Sequence, residues 1–152
     1  MIIETTRFGS VEVRDEDMLV FEHGLPGFPE EKSFAFIVVD AESPFSFLQS
    51  LKDPNLTFLL VNPFLFFKDY EFELDDAIAA SLGFAEGDQP QVSSIVTVPE
   101  SINDMTVNLL APIVINWKSQ KAVQVVLENK QYSTRHRLLP ENSPKAAGEG
   151  VK

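Results

Sequence analysis

The chain has 152 residues, sets 12 Lys and Arg against 23 Asp and Glu for a net charge of −11, and contains no cysteine. Disulfides, thiolate catalysis and Cys-ligated zinc or iron–sulfur sites are excluded, and direct nucleic-acid binding is disfavoured because neutralising phosphates requires a basic patch. With 44% hydrophobic residues and no apolar run near the ~20 residues that a membrane helix needs, the composition is that of one soluble globular domain with no membrane span.

The opening MIIETTRFG meets a charge at Glu4 and has neither a basic start nor a long apolar core, which predicts no signal peptide and a cytoplasmic location. Ile2 to Thr6 and Val11 to Arg14 are β-rich runs around Phe8-Gly9-Ser10, and Met18 to Phe21 is a third strand candidate, so the chain is expected to open as a β-meander. Phe21 to Glu31 is turn chemistry: Gly24 and Gly27 permit positive φ, while Pro26 and Pro29 fix theirs. Phe34 to Val39 resumes as a buried strand.

Seven of the thirteen phenylalanines fall between Ser43 and Leu74, punctuated by Pro44, Pro54 and Pro63, which rule out one long helix. Phe45, Phe47 and Leu48 fit a short helix, and Thr57 to Val61 reads as a buried strand. Asp69 to Leu74 alternates Asp69, Glu71 and Glu73 with Tyr70, Phe72 and Leu74, the pattern of a half-buried strand with one acidic face. Asp75 to Gly83 is the best helix signal, with Asp75 as N-cap and Gly83 as its stop.

After the polar loop Phe84 to Gln91 come four more strand-like runs, Val92 to Val98, Met105 to Leu110, Ile113 to Trp117 and Ala122 to Leu127, with a polar hairpin tip at Trp117 to Lys121. Short strands without crossover helices predict an all-β fold: a small antiparallel β-barrel-like single domain with one or two short helices. Its expected bounds are residues 1–139. The tail 140–152, PENSPKAAGEGVK, lacks apolar periodicity and is expected to be disordered.

No phosphate-cradling, dinucleotide, zincin or nucleophile-elbow motif is present, and neither His23 nor His136 has a spaced metal-ligand partner. The prediction is a non-enzyme with no cofactor and no metal. Three acids in a row on one face are a solvated or partner-facing surface rather than a pair of catalytic carboxyls. The strong negative charge predicts a basic protein partner.

FEHGLPGF (21–28), SPFSFLQSLKDPNLTFLLVNPFLFFKDYEFEL (43–74) and TVNLLAPIVINWKSQKAVQVVLENKQYSTRH (106–136), in this order and spacing, resemble the FliW family of bacterial flagellar assembly factors. The resemblance implies a non-enzymatic, β-barrel-like cytoplasmic protein with two alternative protein partners. One is CsrA, an RNA-binding translational repressor that silences flagellin mRNA and is antagonised by FliW-type proteins. The other is flagellin, toward which the role is chaperone-like and which captures FliW when it accumulates. The alternative from a different class is a β-barrel ligand- or carbohydrate-binding module without catalytic activity.

For the contact surface, Asp69, Glu71 and Glu73 are expected to steer a partner while Phe64, Phe66 and Phe67 anchor it. Leu25 and Phe28 in the Gly/Pro loop are a second candidate, the alternative being that both tuck under the barrel and plug one end, and Ile102, alone among polar residues between Pro99 and Met105, is a third. Tyr132, Arg135 and His136 form a further spot, whose positive charges are expected to pair with the protein's own acids, the alternative being contact with an acidic flagellin segment.

Overall fold

The computed structural model describes residues 1–138; the expected tail, 140–152, lies outside the described residues. Eleven strands and one α-helix follow in order: β1 (Ile2–Thr5), β2 (Gly9–Glu12), β3 (Met18–Val20), β4 (Ser33–Ile37), β5 (Phe45–Ser50), β6 (Thr57–Val61), α1 (Asp76–Ser81), β7 (Gln91–Thr97), β8 (Thr106–Val107), β9 (Ile113–Asn116), β10 (Lys121–Gln124) and β11 (His136–Arg137). Three single-turn 3-10 segments lie at Asp15–Asp17, Pro63–Leu65 and Ile102–Asp104.

Strands β3 to β7 form an antiparallel meander. It closes because β7 also pairs with β9, β9 with β10, and β10 returns to β3 through a short parallel contact, Lys121 opposite Val20. The result is the expected β-barrel, seven strands around, with β8 and β11 extending the sheet beyond β7. Gln120 locks the seam. Held at φ 59° in the hairpin tip, it accepts from the Val20 amide at 2.9 Å and its Nε2 donates to the carbonyls of Asp15 and Met18 at 2.6 and 3.0 Å.

Pleat alternation sorts the apolar residues into two faces. Leu19, Phe34, Leu48, Leu60, Ile113, Ile115 and Ala122 point into the barrel and fill it, with Phe36, Phe58 and Ile95 beside them. The opposite face of β6, β7, β9 and β10 carries Val61, Val92, Val96, Val114 and Val123. It is covered by the segment from Pro63 to Phe84 and by the stretches flanking β9 and β10, 105–110 and 125–138. The β1–β2 hairpin covers the outside of β4, burying Ile3 and Val13 against Ala35.

Two local expectations differ from the structure. The stretch Phe45–Leu48 is strand β5 rather than a short helix, because both of its faces are buried: Leu48 lies inside the barrel, while Phe45 and Phe47 pack outside against Phe66 and Phe8. The first two strands also stand apart as their own two-stranded sheet, so the meander begins at β3. Helix α1 forms as expected. Asp75 caps it by accepting from the Ala77 amide at 2.7 Å, and Gly83 at φ 79° ends it.

Candidate functional site

Between β6 and α1 the chain runs as a strap across the outer face of the barrel. Asn62 starts it, its side chain accepting from the Phe64 amide at 3.0 Å in front of Pro63. Tyr70 pins its middle: the ring is buried and its hydroxyl donates to the Leu109 carbonyl at 2.7 Å. Tyr132 packs edge-on against Tyr70 with ring centroids 4.8 Å apart, and Phe64 and Phe72 flank the same ring at 5.6 and 5.7 Å. Burial, then the neighbouring Tyr132, pushes the Tyr70 hydroxyl well above the ordinary phenol range.

The alternation of Asp69 to Leu74 holds, but not as a strand. Tyr70 is buried and Phe72 and Leu74 are half-buried, while Asp69, Glu71 and Glu73 are exposed, yet the segment joins no sheet. In place of a ladder, the Tyr132 hydroxyl serves the Glu71 backbone, accepting from its amide and donating to its carbonyl at 3.0 Å each.

Two open clefts flank the strap. One, of about 280 Å³, is lined by Phe64, Glu71, Phe72 and Leu74 together with Gln89, Pro90, Val92 and Val114. The other, a groove of about 1130 Å³, lies between Glu71–Asp76 with Ile78 on one side and Val125–Asn129 on the other. Glu71, Glu73, Asp75, Asp76 and Glu128 rim that groove, with no Lys or Arg in its lining. Among the described residues none of these five carboxylates forms an ion pair. Some acids elsewhere do meet a cation: Asp88 accepts from Lys118 at 2.7 Å and from the Ala85 amide, which hold its carboxyl below the usual range.

The structure therefore brings together Phe64, Glu71 and Glu73, and adds Asp75, Asp76, Val126 and Glu128 to them. Phe66 and Phe67 are half-buried under the strap, Phe66 beside Phe45 and Phe67 against the His136 ring at 6.0 Å. Asp69 is exposed outside both clefts.

The remaining expected residues line neither cleft. Leu25 is not exposed as a loop anchor should be: at 3% exposure it belongs to the barrel-filling cluster. Burying such a side chain contributes about 1.5–3 kcal/mol, which explains why the loop turns it inward. Phe28 is 39% exposed and lies edge-on to Phe58 at 5.7 Å. Ile102, 63% exposed, crowns the 3-10 turn before β8.

Arg137 rather than Arg135 meets an acid of the same chain, Asp104 at 3.4 Å. The Nε2 atom of His136 accepts from the Ser133 amide at 2.8 Å. Val126 and Glu128 escaped the sequence reading because the groove joins segments some fifty positions apart, although the alternation of VQVVLE already put Val125 and Leu127 on one face.

The model of the FliW protein family matches residues 2–138. The chain belongs to the FliW family. It is 50% identical over 150 residues to the flagellar assembly factor FliW of Desulfitobacterium hafniense strain DSM 10664 / DCB-2, covering 99% of each chain. The FliW of Heliobacterium modesticaldum is 46% identical over 151 residues, again 99% of each. That of Bacillus subtilis strain 168 is 43% identical over 142 residues, 93% of this chain and 99% of the relative. A crystal structure of the flagellar assembly factor FliW superposes with a TM-score of 0.85 at 41% identity, covering 93% of this chain and 99% of that one. The FliW resemblance and the barrel read from the sequence both hold. Among the described residues no helix is long and apolar enough to cross a membrane.

Proposed function

We propose that this FliW-family chain is a cytoplasmic flagellar assembly factor that works by binding, without catalysis. It binds the basic repressor CsrA, relieving repression of flagellin mRNA, and binds flagellin as an alternative, chaperone-like partner. The observation that carries this reading is the strap: Glu71 and Glu73 stand exposed, without an ion pair among the described residues, above half-buried aromatics, in a chain of charge −11. One-signed charge without internal partners raises the encounter rate of a basic protein and repels RNA. The Tyr70–Tyr132 pair holds that charge in a fixed place, so little ordering remains to be done on binding.

The ligand-carrier alternative finds less support, because side chains fill the barrel interior where a small barrel of that kind would hold its ligand. The decisive test is size-exclusion chromatography and calorimetry of the purified chain with CsrA and, separately, with flagellin. Both complexes are expected, and the triple variant Asp69→Lys, Glu71→Lys, Glu73→Lys is expected to stay folded and lose CsrA. Absence of both complexes defeats the reading, and an unaltered CsrA affinity in the folded triple variant removes the strap as its site.

A further inference from the structure

The register of β10 on β9 continues past the end of the named strand. Opposite pairs run from Lys121–Asn116 to Gln124–Ile113, after which the Val125 amide donates to the Pro112 carbonyl at 2.9 Å and the Leu127 amide to the Leu110 carbonyl at 2.8 Å. In an antiparallel ladder the residues between such pairs turn their amides and carbonyls to the other edge. Here that residue is Val126, and Glu128 follows directly after the last pair. Among the described residues β10 meets β3 on that edge only through Lys121 opposite Val20, and no described strand pairs with the edge beyond it. Among the described residues neither the Val126 nor the Glu128 amide has an acceptor.

This segment walls the 1130 Å³ groove whose other wall is the strap. The strap belongs to no regular element there, its side chains alternate between buried or half-buried and exposed, and among the described residues the amides of Phe72, Glu73 and Leu74 have no acceptor. Half-buried Leu74 and Ile78 supply apolar surface on the strap side, and Val126 stands 63% exposed on the other, with Val125 and Leu127 buried beneath it. An open strand edge with apolar side chains is a template for another strand, and proteins normally blunt such edges with charge. The charge here has one sign only.

We propose that this groove takes an extended, basic polypeptide segment, which adds as a strand to the open edge of Val126 and Glu128. Its alternate residues face the apolar surface of the groove and, as Lys or Arg, the rim of Glu71, Glu73, Asp75, Asp76 and Glu128. A second copy of this chain is a poor occupant because it carries the same acidic edge and a charge of −11. The proposal rests on the reading of CsrA as a basic partner and specifies how that partner is held: main-chain bonds give affinity and the acidic rim selects the sign.

The test uses the full chain with purified CsrA. Val126→Pro removes one outward amide that the fold does not use, and proline is tolerated on edge strands with that orientation. It is expected to keep the wild-type melting midpoint and to lose at least about tenfold in CsrA affinity, whereas Val126→Ala, which keeps the amide, loses less than about threefold. In the wild-type complex, hydrogen exchange at the amides of Val126 and Glu128 is expected to slow. Full affinity in folded Val126→Pro, or unchanged exchange at both amides in the complex, overturns the strand-addition proposal while leaving CsrA binding in place. If wild type forms no complex with CsrA, the partner reading falls, and a synthetic Lys-Val-Lys-Val-Lys-Val peptide decides the groove. Slowed exchange at Val126 and Glu128 with that peptide sustains the proposal, and no change overturns it.

Discussion

The hydroxyl of Tyr132 bonds both backbone groups of Glu71, accepting from its amide and donating to its carbonyl. A residue of the C-terminal third thus does for the strap what a neighbouring strand does elsewhere, and it does so at the acidic residue that faces both clefts. Tyr132→Phe removes both bonds and keeps the ring packed on Tyr70. Because Glu71 is exposed, water replaces much of what is lost, and the stability change is expected at the low end of the range for a hydrogen bond, about 0.5 kcal/mol. The local effect is larger: exchange at the Glu71 amide is expected to accelerate far more than the global opening rate, which amide exchange by NMR measures directly. Equal acceleration throughout the domain contradicts a local clasp.

Tyr70 is the deeper pin. Its hydroxyl donates to the carbonyl of Leu109, itself buried, so Tyr70→Phe strands an acceptor that water does not reach, at a cost of about 1–3 kcal/mol in urea denaturation. The sign of the pH dependence follows from the shift. The folded-state value is raised above the ordinary 10.0, by burial first and Tyr132 second. The unfolded chain therefore ionises first, and this contribution is fully present below about pH 10 and is lost as the pH climbs above it. Wild type is expected to lose stability more steeply than Tyr70→Phe above that point, and the two slopes are expected to coincide at neutral pH.

How much of this was legible depended on whether the deciding contact was local. Thr57–Val61 and α1 with its Asp75 cap emerge as read, since a short apolar run and a side-chain cap are set by adjacent residues. Phe45 to Leu48 is a strand with the look of a short helix, because side chains packed on both faces blur the alternation that marks a strand. Asp69 to Leu74 shows the converse: alternation reports which side chains point inward, and it is silent on whether the backbone finds a ladder. The closing contact of Lys121 with Val20 and the groove between Glu73 and Glu128 join distant segments, and neither leaves a mark in local spacing.

The Gly/Pro loop offers a contrast between two glycines. Leu25 and Phe28 close a two-residue turn, exchanging amide–carbonyl bonds of 3.2 and 2.7 Å around Pro26 and Gly27, the pattern of a type II turn. Gly27 has φ 85° with open space where a Cβ stands, so Gly27→Ala incurs only the left-handed backbone penalty, about 1–2 kcal/mol. Gly24 has φ 68°, and a Cβ there lies 2.6 Å from the backbone oxygens of both Phe28 and Pro29. Gly24→Ala must displace that backbone and with it Leu25, so its melting midpoint is expected well below that of Gly27→Ala. Equal midpoints contradict the close approach.

Charge steering separates the strap from the acidity of the chain as a whole. Glu71→Gln with Glu73→Gln removes two charges that no cation answers among the described residues, whereas Glu16→Gln removes one already met by Arg14 at 3.3 Å. Stopped-flow association with CsrA at low ionic strength is expected to slow severalfold in the double variant and little in Glu16→Gln. Near 1 M salt, where the screening length falls to about 3 Å, the double variant and wild type are expected to associate at similar rates. A double variant that stays slow at high salt shows that Glu71 and Glu73 act by contact rather than by steering. Association at the wild-type rate in low salt moves the encounter surface away from the strap.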